Sequence, residues 1–162
     1  MTHEMTTTEG FGADVPVHPR AYAPDLPVTG AWRPGDPTGN RRFVDVGGGR
    51  PFTLESGETL SQITMAYETW GELSPEADNA VLVCHALTGD SHVCGAAGSG
   101  HASEGWWNSV VGPGLGIDTD RHFVVCVNSL GSCQGSTGPA SVDPATGRPY
   151  GSNFPTVTTR DI

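Results

Sequence analysis

Two short apolar runs decide the fold, Ala80-Val-Leu-Val-Cys84 and Phe123-Val-Val-Cys-Val127. Each run is apolar at successive positions rather than at alternate ones, and turn-forming residues bound both. Such runs are typical of central strands in a parallel sheet, which other elements cover on both faces. The 38 residues from His85 to His122 are long enough for the crossover that a parallel pair requires. We therefore predict two buried parallel strands.

The segments around these runs complete a predicted α/β architecture. Glu104–Val111 is the predicted crossover helix, because Gly112-Pro-Gly114 stops it. Upstream, residues 42–69 show strand-length alternation broken by glycine turns, which predicts an antiparallel meander. The meander leads into the parallel strands, and the sheet is expected to be incomplete.

Two regions of different character divide the chain. Residues 1–40 are rich in proline and glycine and are predicted to be loosely structured, whereas residues 41–162 carry the sheet. After the second run a long loop covers 129–155, and Val157–Ile162 is predicted to begin a further element. An unpaired edge is expected beside Phe123–Val127, so we predict that the isolated chain aggregates or folds only partly.

Charge and composition exclude several classes of protein. The chain has 18 acidic and 8 basic residues, a formal charge of −10. This balance argues against binding to nucleic acid or to anionic lipid. The sequence shows neither an apolar stretch of membrane-spanning length nor a secretory signal at its start. Four cysteines are too few for a disulfide scaffold, so free thiols and a cytoplasmic location are expected.

Two loops leave the carboxyl ends of the predicted parallel strands, where open sheets bind ligands. They are His85–His92 and Asn128–Pro139. The first resembles the oxyanion loop of α/β-hydrolases, in which a backbone N–H stabilises the charge that develops during acyl transfer. An ordinary strand-to-loop exit is the alternative. The candidates for lining a pocket are Ala86, Thr88, Gly89, Asp90, Asn128 and Gln134.

No nucleophile elbow is present. Ser136 has Gln134, not glycine, two positions before it, and no other serine stands in Gly-x-Ser-x-Gly. Ser136 is therefore interpreted as a turn residue. Cys133 lies between polar loop residues with no identifiable histidine partner, so a reactive thiol there is disfavoured.

Metal chemistry is also disfavoured. Cys84, His85, His92 and Cys94 are close in sequence, but their spacing is not that of a zinc site. Asp118-x-Asp120 lacks the remaining ligands of a calcium loop and is predicted to be a turn. We predict no metal site. The adjacent Trp106 and Trp107 are expected to pack between helix and sheet rather than to line a pocket.

Taken together, the segments over about residues 52–162 resemble the homoserine O-acetyltransferases of the α/β-hydrolase superfamily. The matching blocks follow one another in the same order, which makes the resemblance specific. They are 66–71 (AYETWG), 79–92 (NAVLVCHALTGDSH), 105–107 (GWW), 112–114 (GPG), 117–121 (IDTDR), 133–139 (CQGSTGP), 144–151 (PATGRPYG), 154–155 (FP) and 159–161 (TRD).

The resemblance implies an α/β-hydrolase fold, of which this chain holds the N-terminal part. It implies acetyl transfer from acetyl-CoA, a co-substrate, to L-homoserine through a serine acyl-enzyme, with no bound cofactor, in a protein that forms homodimers. Leu87 matches the family position whose backbone N–H is one oxyanion donor. The family's nucleophilic serine, its acid and base, and the arginine expected to hold the substrate carboxylate would all lie beyond Ile162, so the chain alone is expected to be inactive.

Alternatives remain open at this point. The parent could be a sister acyltransferase with serine as acceptor or succinyl-CoA as donor, or an acetyl-ester hydrolase, because the residues that choose between these substrates lie mostly beyond Ile162. A non-catalytic interaction module is the alternative from another class of protein.

Overall fold

The computed structural model describes residues 30–162, and its central element is a four-stranded sheet. β1 (Arg42–Val46) pairs antiparallel with β4 (Ile63–Trp70), and β4 pairs antiparallel with β8 (Phe123–Val127). β8 in turn pairs parallel with β5 (Ala80–Val83), so the sheet order is β1-β4-β8-β5. The predicted antiparallel pairing of the upstream strands and the predicted parallel pair are thus confirmed.

Three two-stranded ribbons surround the sheet. β2 (Phe52–Thr53) pairs antiparallel with β3 (Thr59–Leu60), β9 (Val142–Asp143) pairs antiparallel with β10 (Arg148–Pro149), and β6 (Val111–Gly112) pairs parallel with β7 (Ile117–Asp118). Residues 129–155, predicted as a loop, contain the β9–β10 ribbon and the 3₁₀ turn Gly151–Asn153, while the structure assigns no strand or helix to 157–162.

The helix predicted over Glu104–Val111 is wrong, and residues 30–162 contain no α-helix. The segment makes one turn, in which the N–H of Val111 donates to the carbonyl of Trp107 at 3.0 Å. The N–H of Trp107 donates instead to the carbonyl of Val93 at 2.7 Å, which draws this segment onto residues 92–95. Gly105 permits the approach, because a Cβ there would overlap the backbone of Cys94.

The prediction that both parallel strands are covered on both faces is also wrong for β5. The Leu82 side chain is 66% exposed, and Cys84, which follows the strand, is exposed as well. Because no helix packs on that face within the described residues, only Val83 of β5 is buried. Within residues 30–162, β8 lies between two partners and the edge strands of the sheet are β1 and β5, so the unpaired edge is not at Phe123–Val127 as predicted.

Two apolar clusters form the core. The first includes Val83 of β5 and Val124 of β8, packed against residues of the crossover such as Val93 and Val111. The second lies around Leu60, where the β2–β3 ribbon meets the start of β4 and residues 150–157. The first cluster anchors the carboxyl-end loops of the parallel strands, and it therefore positions the candidate site.

Residues 30–40, the described part of the segment predicted to be loose, contact the sheet. The centroid of the Trp32 ring lies 4.8 Å from that of the Phe43 ring on β1. The backbone N–H of Trp32 donates to the carbonyl of Cys133, in the loop after β8, at 2.8 Å. The rest of that segment lies outside the described residues, and the domain boundary at residue 40 stays a prediction. The described part of the chain has no helix of the length and apolar character needed to cross a bilayer.

Candidate functional site

Two loops meet at the carboxyl ends of β5 and β8. Residues 84–92 follow β5 and residues 128–138 follow β8, and the strands are adjacent and parallel. The sequence therefore predicted correctly that both loops leave the carboxyl ends of a parallel pair of strands. The loop after β5 turns sharply at Leu87, whose side chain is fully exposed. The assignment of its backbone N–H as an oxyanion donor stays a prediction.

Asn128 joins the two loops. Its side chain is fully buried at the end of β8. Its Oδ1 accepts the N–H of Ser91 at 2.7 Å, and its Nδ2 donates to the carbonyl of Gln134 at 2.6 Å. Two of the predicted pocket-lining residues, Asn128 and Gln134, are thus brought together, but Asn128 supports the loops from beneath.

Arg41 adds a charged contact to the same junction. Its guanidinium is buried and donates to Asp90 at 3.2 Å and to Oε1 of Gln134 at 2.8 Å. The other carboxylate oxygen of Asp90 accepts the N–H of His92 at 2.9 Å. Asp90 therefore has structural partners on both oxygens. Ala86 and Thr88 remain exposed, and Gly89 closes the turn around Leu87.

A cluster of three buried titratable side chains lies beneath the loops, and the sequence analysis did not identify it. Oε2 of Glu68 is 3.0 Å from Nδ1 of His92 and 3.6 Å from Nε2 of His101. Oε1 of Glu68 accepts the Ser91 hydroxyl at 2.8 Å. Glu68 is on β4, and only the folded sheet brings it to the crossover residues. Their spacing in the sequence gives no signal of this.

The cluster has the side chains of a metal site but not its geometry. The rings of His92 and His101 stack, with centroids 3.7 Å apart and planes 10° apart. The nitrogen lone pairs of each ring lie in its plane, and two nearly parallel planes that are stacked do not meet at one ion. Nε2 of His101 also accepts the N–H of Asn40 at 3.1 Å. We interpret the cluster as hydrogen bonded, and the absence of a metal site stays a prediction.

The four residues weighed as zinc ligands are not brought together. Among the described residues the only group with metal-binding side chains in reach of one another is Glu68, His92 and His101. Cys84 is exposed, and His85 contacts the backbone of Ala86 instead.

Burial alters the acidity of several groups around Glu68. Burial lowers the pKa of His101, and the positive charge of Arg41 acts in the same direction. Burial raises the pKa of the Cys126 thiol to about 12, and the Glu68 carboxylate adds to this increase. The pKa of Cys94 is raised for the same two reasons. Neither thiol is therefore suited to act as a nucleophile.

Other residues considered in the sequence have structural contacts. The Ser136 hydroxyl is buried, accepts the N–H of Ala66 at 2.9 Å and donates to the carbonyl of Asn128. It thus links β4 to the end of β8. Asp118, predicted to lie in a turn, is instead the last residue of β7, and the turn follows it at 119–121. The backbone N–H groups of Gly114 and Asp120 donate to its carboxylate and lower its pKa.

The tryptophan pair differs from expectation, because residues 30–162 form no α-helix for it to pack under. Trp106 and Trp107 are 37% and 41% exposed, with ring centroids 4.9 Å apart. The indole N–H of Trp106 donates to the carbonyl of Asp90 at 2.9 Å. This contact holds the far end of the loop that follows β5.

A groove of about 310 Å³ opens elsewhere, between β1, β4 and the loop after β8. Trp32, Phe43 and Cys133 are among its lining residues, and none of the six predicted pocket-lining residues is. Within the described residues, the tip of the loop after β5 is thus an open surface at the carboxyl ends of β5 and β8, outside this groove.

The similar curated proteins are homoserine O-acetyltransferases. No family model matches the chain. It is 59% identical to a homoserine O-acetyltransferase from Thermobifida fusca over 138 residues, which are 85% of the chain and 36% of that protein. A homoserine O-acetyltransferase from Leifsonia xyli is 58% identical over 135 residues, 83% of the chain and 33% of that protein. The chain thus spans about a third of the length of these relatives.

Solved structures show the same partial coverage. Esterase E22 is similar with a TM-score of 0.65 and 35% identity, over 75% of the chain and 34% of that protein. A homoserine O-acetyltransferase from Bacillus anthracis has a TM-score of 0.63 and 34% identity, over 75% of the chain and 33% of that protein. The described strands therefore form part of the fold that these proteins share.

Proposed function

The chain belongs to the homoserine O-acetyltransferase family over about a third of those proteins' length, and we propose that it supplies the oxyanion loop of an acetyl-CoA-dependent acyltransferase. L-Homoserine is the proposed acceptor. A serine hydroxyl of the parent protein attacks the thioester carbonyl, and CoA leaves as the free thiol. The hydroxyl of homoserine then attacks the acetyl-serine ester, which gives O-acetylhomoserine and restores the serine.

One structural observation supports this proposal above all others. The loop 84–92 lies at the carboxyl ends of two adjacent parallel strands, and its tip at residues 86–88, with Leu87 in the middle, is exposed. In open α/β sheets that end of the strands is where substrates bind. A backbone N–H on the loop after such a strand is one of the two donors that stabilise the oxyanion of acyl transfer. Such a donor is worth about 3 kcal/mol to the transition state.

The remaining catalytic groups are proposed to come from other segments of the parent protein. No serine of this chain stands in a Gly-x-Ser-x-Gly sequence, and Ser136 is committed to two backbone partners. We therefore propose that the 162-residue chain by itself has no turnover. Homodimers, a cytoplasmic location, acetyl-CoA as a co-substrate and the absence of a bound cofactor are proposed on the family relationship alone.

Ester hydrolysis is the second candidate function, because the similarity to esterase E22 is as strong as that to the Bacillus anthracis transferase. In that reaction water would replace homoserine in the second half. Serine as acceptor and succinyl-CoA as donor are further variants of the same chemistry. A non-catalytic module would use neither reaction.

The deciding experiment begins with the complete reading frame that encodes this chain. The polypeptide expressed from it is incubated with acetyl-CoA and L-homoserine, and both free thiol and O-acetylhomoserine are measured. Parallel reactions replace homoserine with serine, acetyl-CoA with succinyl-CoA, or both substrates with 4-nitrophenyl acetate. Equal release of thiol and O-acetylhomoserine supports the proposal. Hydrolysis of the ester without acetyl transfer favours the esterase, and activity of the 162-residue chain alone would contradict our placement of the nucleophile.

A further inference from the structure

The carbonyl oxygen of Ala86, in the loop after β5, is held by two donors. Nδ1 of His85 lies 2.8 Å from it, and the N–H of Gly89 also donates to it at 2.8 Å. Both lone pairs of this oxygen are therefore used. We propose that His85 is a positioning residue, whose imidazole fixes the peptide between Ala86 and Leu87 so that the Leu87 N–H points toward the oxyanion.

The partners of His85 select one tautomer of its ring. A carbonyl oxygen can only accept, so Nδ1 carries a hydrogen and donates it to Ala86. A backbone N–H can only donate, so Nε2, 3.3 Å from the N–H of Ser129, carries a lone pair. His85 thus connects the loop after β5 to the first residues after β8.

Peptide geometry transmits this contact to Leu87. The peptide unit is planar and trans, so its C=O and its N–H point in opposite directions. Fixing the Ala86 carbonyl toward His85 and Gly89 therefore fixes the Leu87 N–H on the other side of the loop. Within residues 30–162 no group accepts a hydrogen bond from this N–H, and the Leu87 side chain is fully exposed. The donor is available to a ligand.

Gly89 supports the same arrangement by its lack of a side chain. A Cβ at Gly89 would lie 3.2 Å from Cβ of His85 and 3.4 Å from the Ala86 oxygen. The turn around the Ala86 carbonyl is therefore closely packed at Gly89. His85 acts through the backbone and contacts no reacting atom.

The inference rests on the proposed function for its kinetic consequence. Two substitutions in the polypeptide from the complete reading frame separate positioning from folding. His85→Leu removes both ring contacts. His85→Asn keeps an N–H group close to the place of Nδ1, so it retains the donor to Ala86 and loses only the contact with Ser129. His122→Leu, a histidine outside the site, is the matched control.

We expect His85→Leu to lower kcat by about tenfold to a hundredfold, part of the loss that follows removal of an oxyanion donor. KM for acetyl-CoA should change by less than about threefold, because the loop acts on developing charge rather than on ground-state binding. His85→Asn should recover most of kcat. Equal loss of kcat in the Asn and Leu variants, or an unchanged kcat in the Leu variant, would overturn the proposal.

A second readout does not depend on activity. In the same polypeptide labelled with ¹⁵N-histidine, two-bond ¹H–¹⁵N spectra report which ring nitrogen of His85 carries the hydrogen. The expected result is hydrogen on Nδ1 alone, and hydrogen on Nε2 would overturn the inference. If the unsubstituted polypeptide transfers no acyl group, the proposed function fails. The ring spectrum still decides whether Nδ1 of His85 donates to the Ala86 carbonyl.

Discussion

Asn128 and Ser91 form a two-point contact between the loops that follow β8 and β5. Oδ1 of Asn128 accepts the Ser91 N–H at 2.7 Å, and Nδ2 of Asn128 donates to the Ser91 hydroxyl at 3.2 Å. That hydroxyl donates in turn to Glu68. A buried amide thus sets the distance between the two loops of the candidate site, because both of its polar atoms are already paired there.

Replacing Asn128 with alanine should destabilise the fold by about 2–5 kcal/mol, since the buried Ser91 N–H and Gln134 carbonyl lose their partner. Unfolding by urea of the polypeptide from the complete reading frame measures the change. Asn153→Ala is the control, because that side chain is exposed and should change the free energy of unfolding by less than about 0.5 kcal/mol. Similar losses for both variants would contradict the role given to Asn128.

The exposed cysteines should react with a thiol reagent faster than the buried Cys126. Cys84 and Cys133 are exposed and are expected to be labelled first. Cys126 is buried with its pKa raised to about 12, so its labelling should be at least about tenfold slower. Mass spectrometry of the labelled peptides gives each rate, and full denaturation should equalise them. Prompt labelling of Cys126 in the native protein would show that the first apolar cluster is open.

The unpaired edge of β5 should make the isolated 162-residue chain self-associate. Leu82 is 66% exposed on this strand, and an exposed apolar edge strand is a template for pairing with another chain. Leu82→Lys is expected to reduce association in sedimentation experiments, because a charge on an edge strand opposes pairing. Leu115→Lys, on the turn between β6 and β7, is the control and should leave association unchanged. A monomer with a sharp, cooperative melt before substitution would contradict the prediction.

Acidification should destabilise the contact between residues 38–41 and the crossover. Burial lowers the pKa of His101 from 6.5, so the unfolded chain takes up this proton at a higher pH than the folded chain does. Stability is therefore complete above about pH 6.5 and decreases as pH falls toward the lowered pKa. The Asn40 N–H donates to Nε2 of His101, and protonation there would break that bond.

The measurement is the urea midpoint of the polypeptide from the complete reading frame at about pH 7.5 and about pH 5.5. His101→Gln keeps an acceptor for Asn40 but cannot take up the proton, so its midpoint should change less between the two conditions. If the unsubstituted protein were equally stable at both pH values, burial of a neutral His101 would be refuted.

The sequence predicted the main strands because a strand is indicated by the hydrophobic pattern of a few consecutive residues. The apolar runs at 80–84 and 123–127 contain β5 and β8, and the alternation over 60–69 overlaps β4. The helix over 104–111 failed for the opposite reason. Its N–H groups have partners at His92 and Val93, which the sequence does not place nearby. Tertiary contact outweighed local preference at that segment.

The sequence by itself determined the family relationship, the parallel pair and the two loops at its carboxyl end. These follow from residue identity and order along the chain. Only the tertiary structure decided that β5 is an edge strand, that Glu68 meets His92 and His101, and that His85 holds the Ala86 carbonyl. Each of these depends on which strand lies beside which and on the directions of individual polar atoms. Those directions are set by burial, since a buried polar group must find a partner wherever the fold provides one.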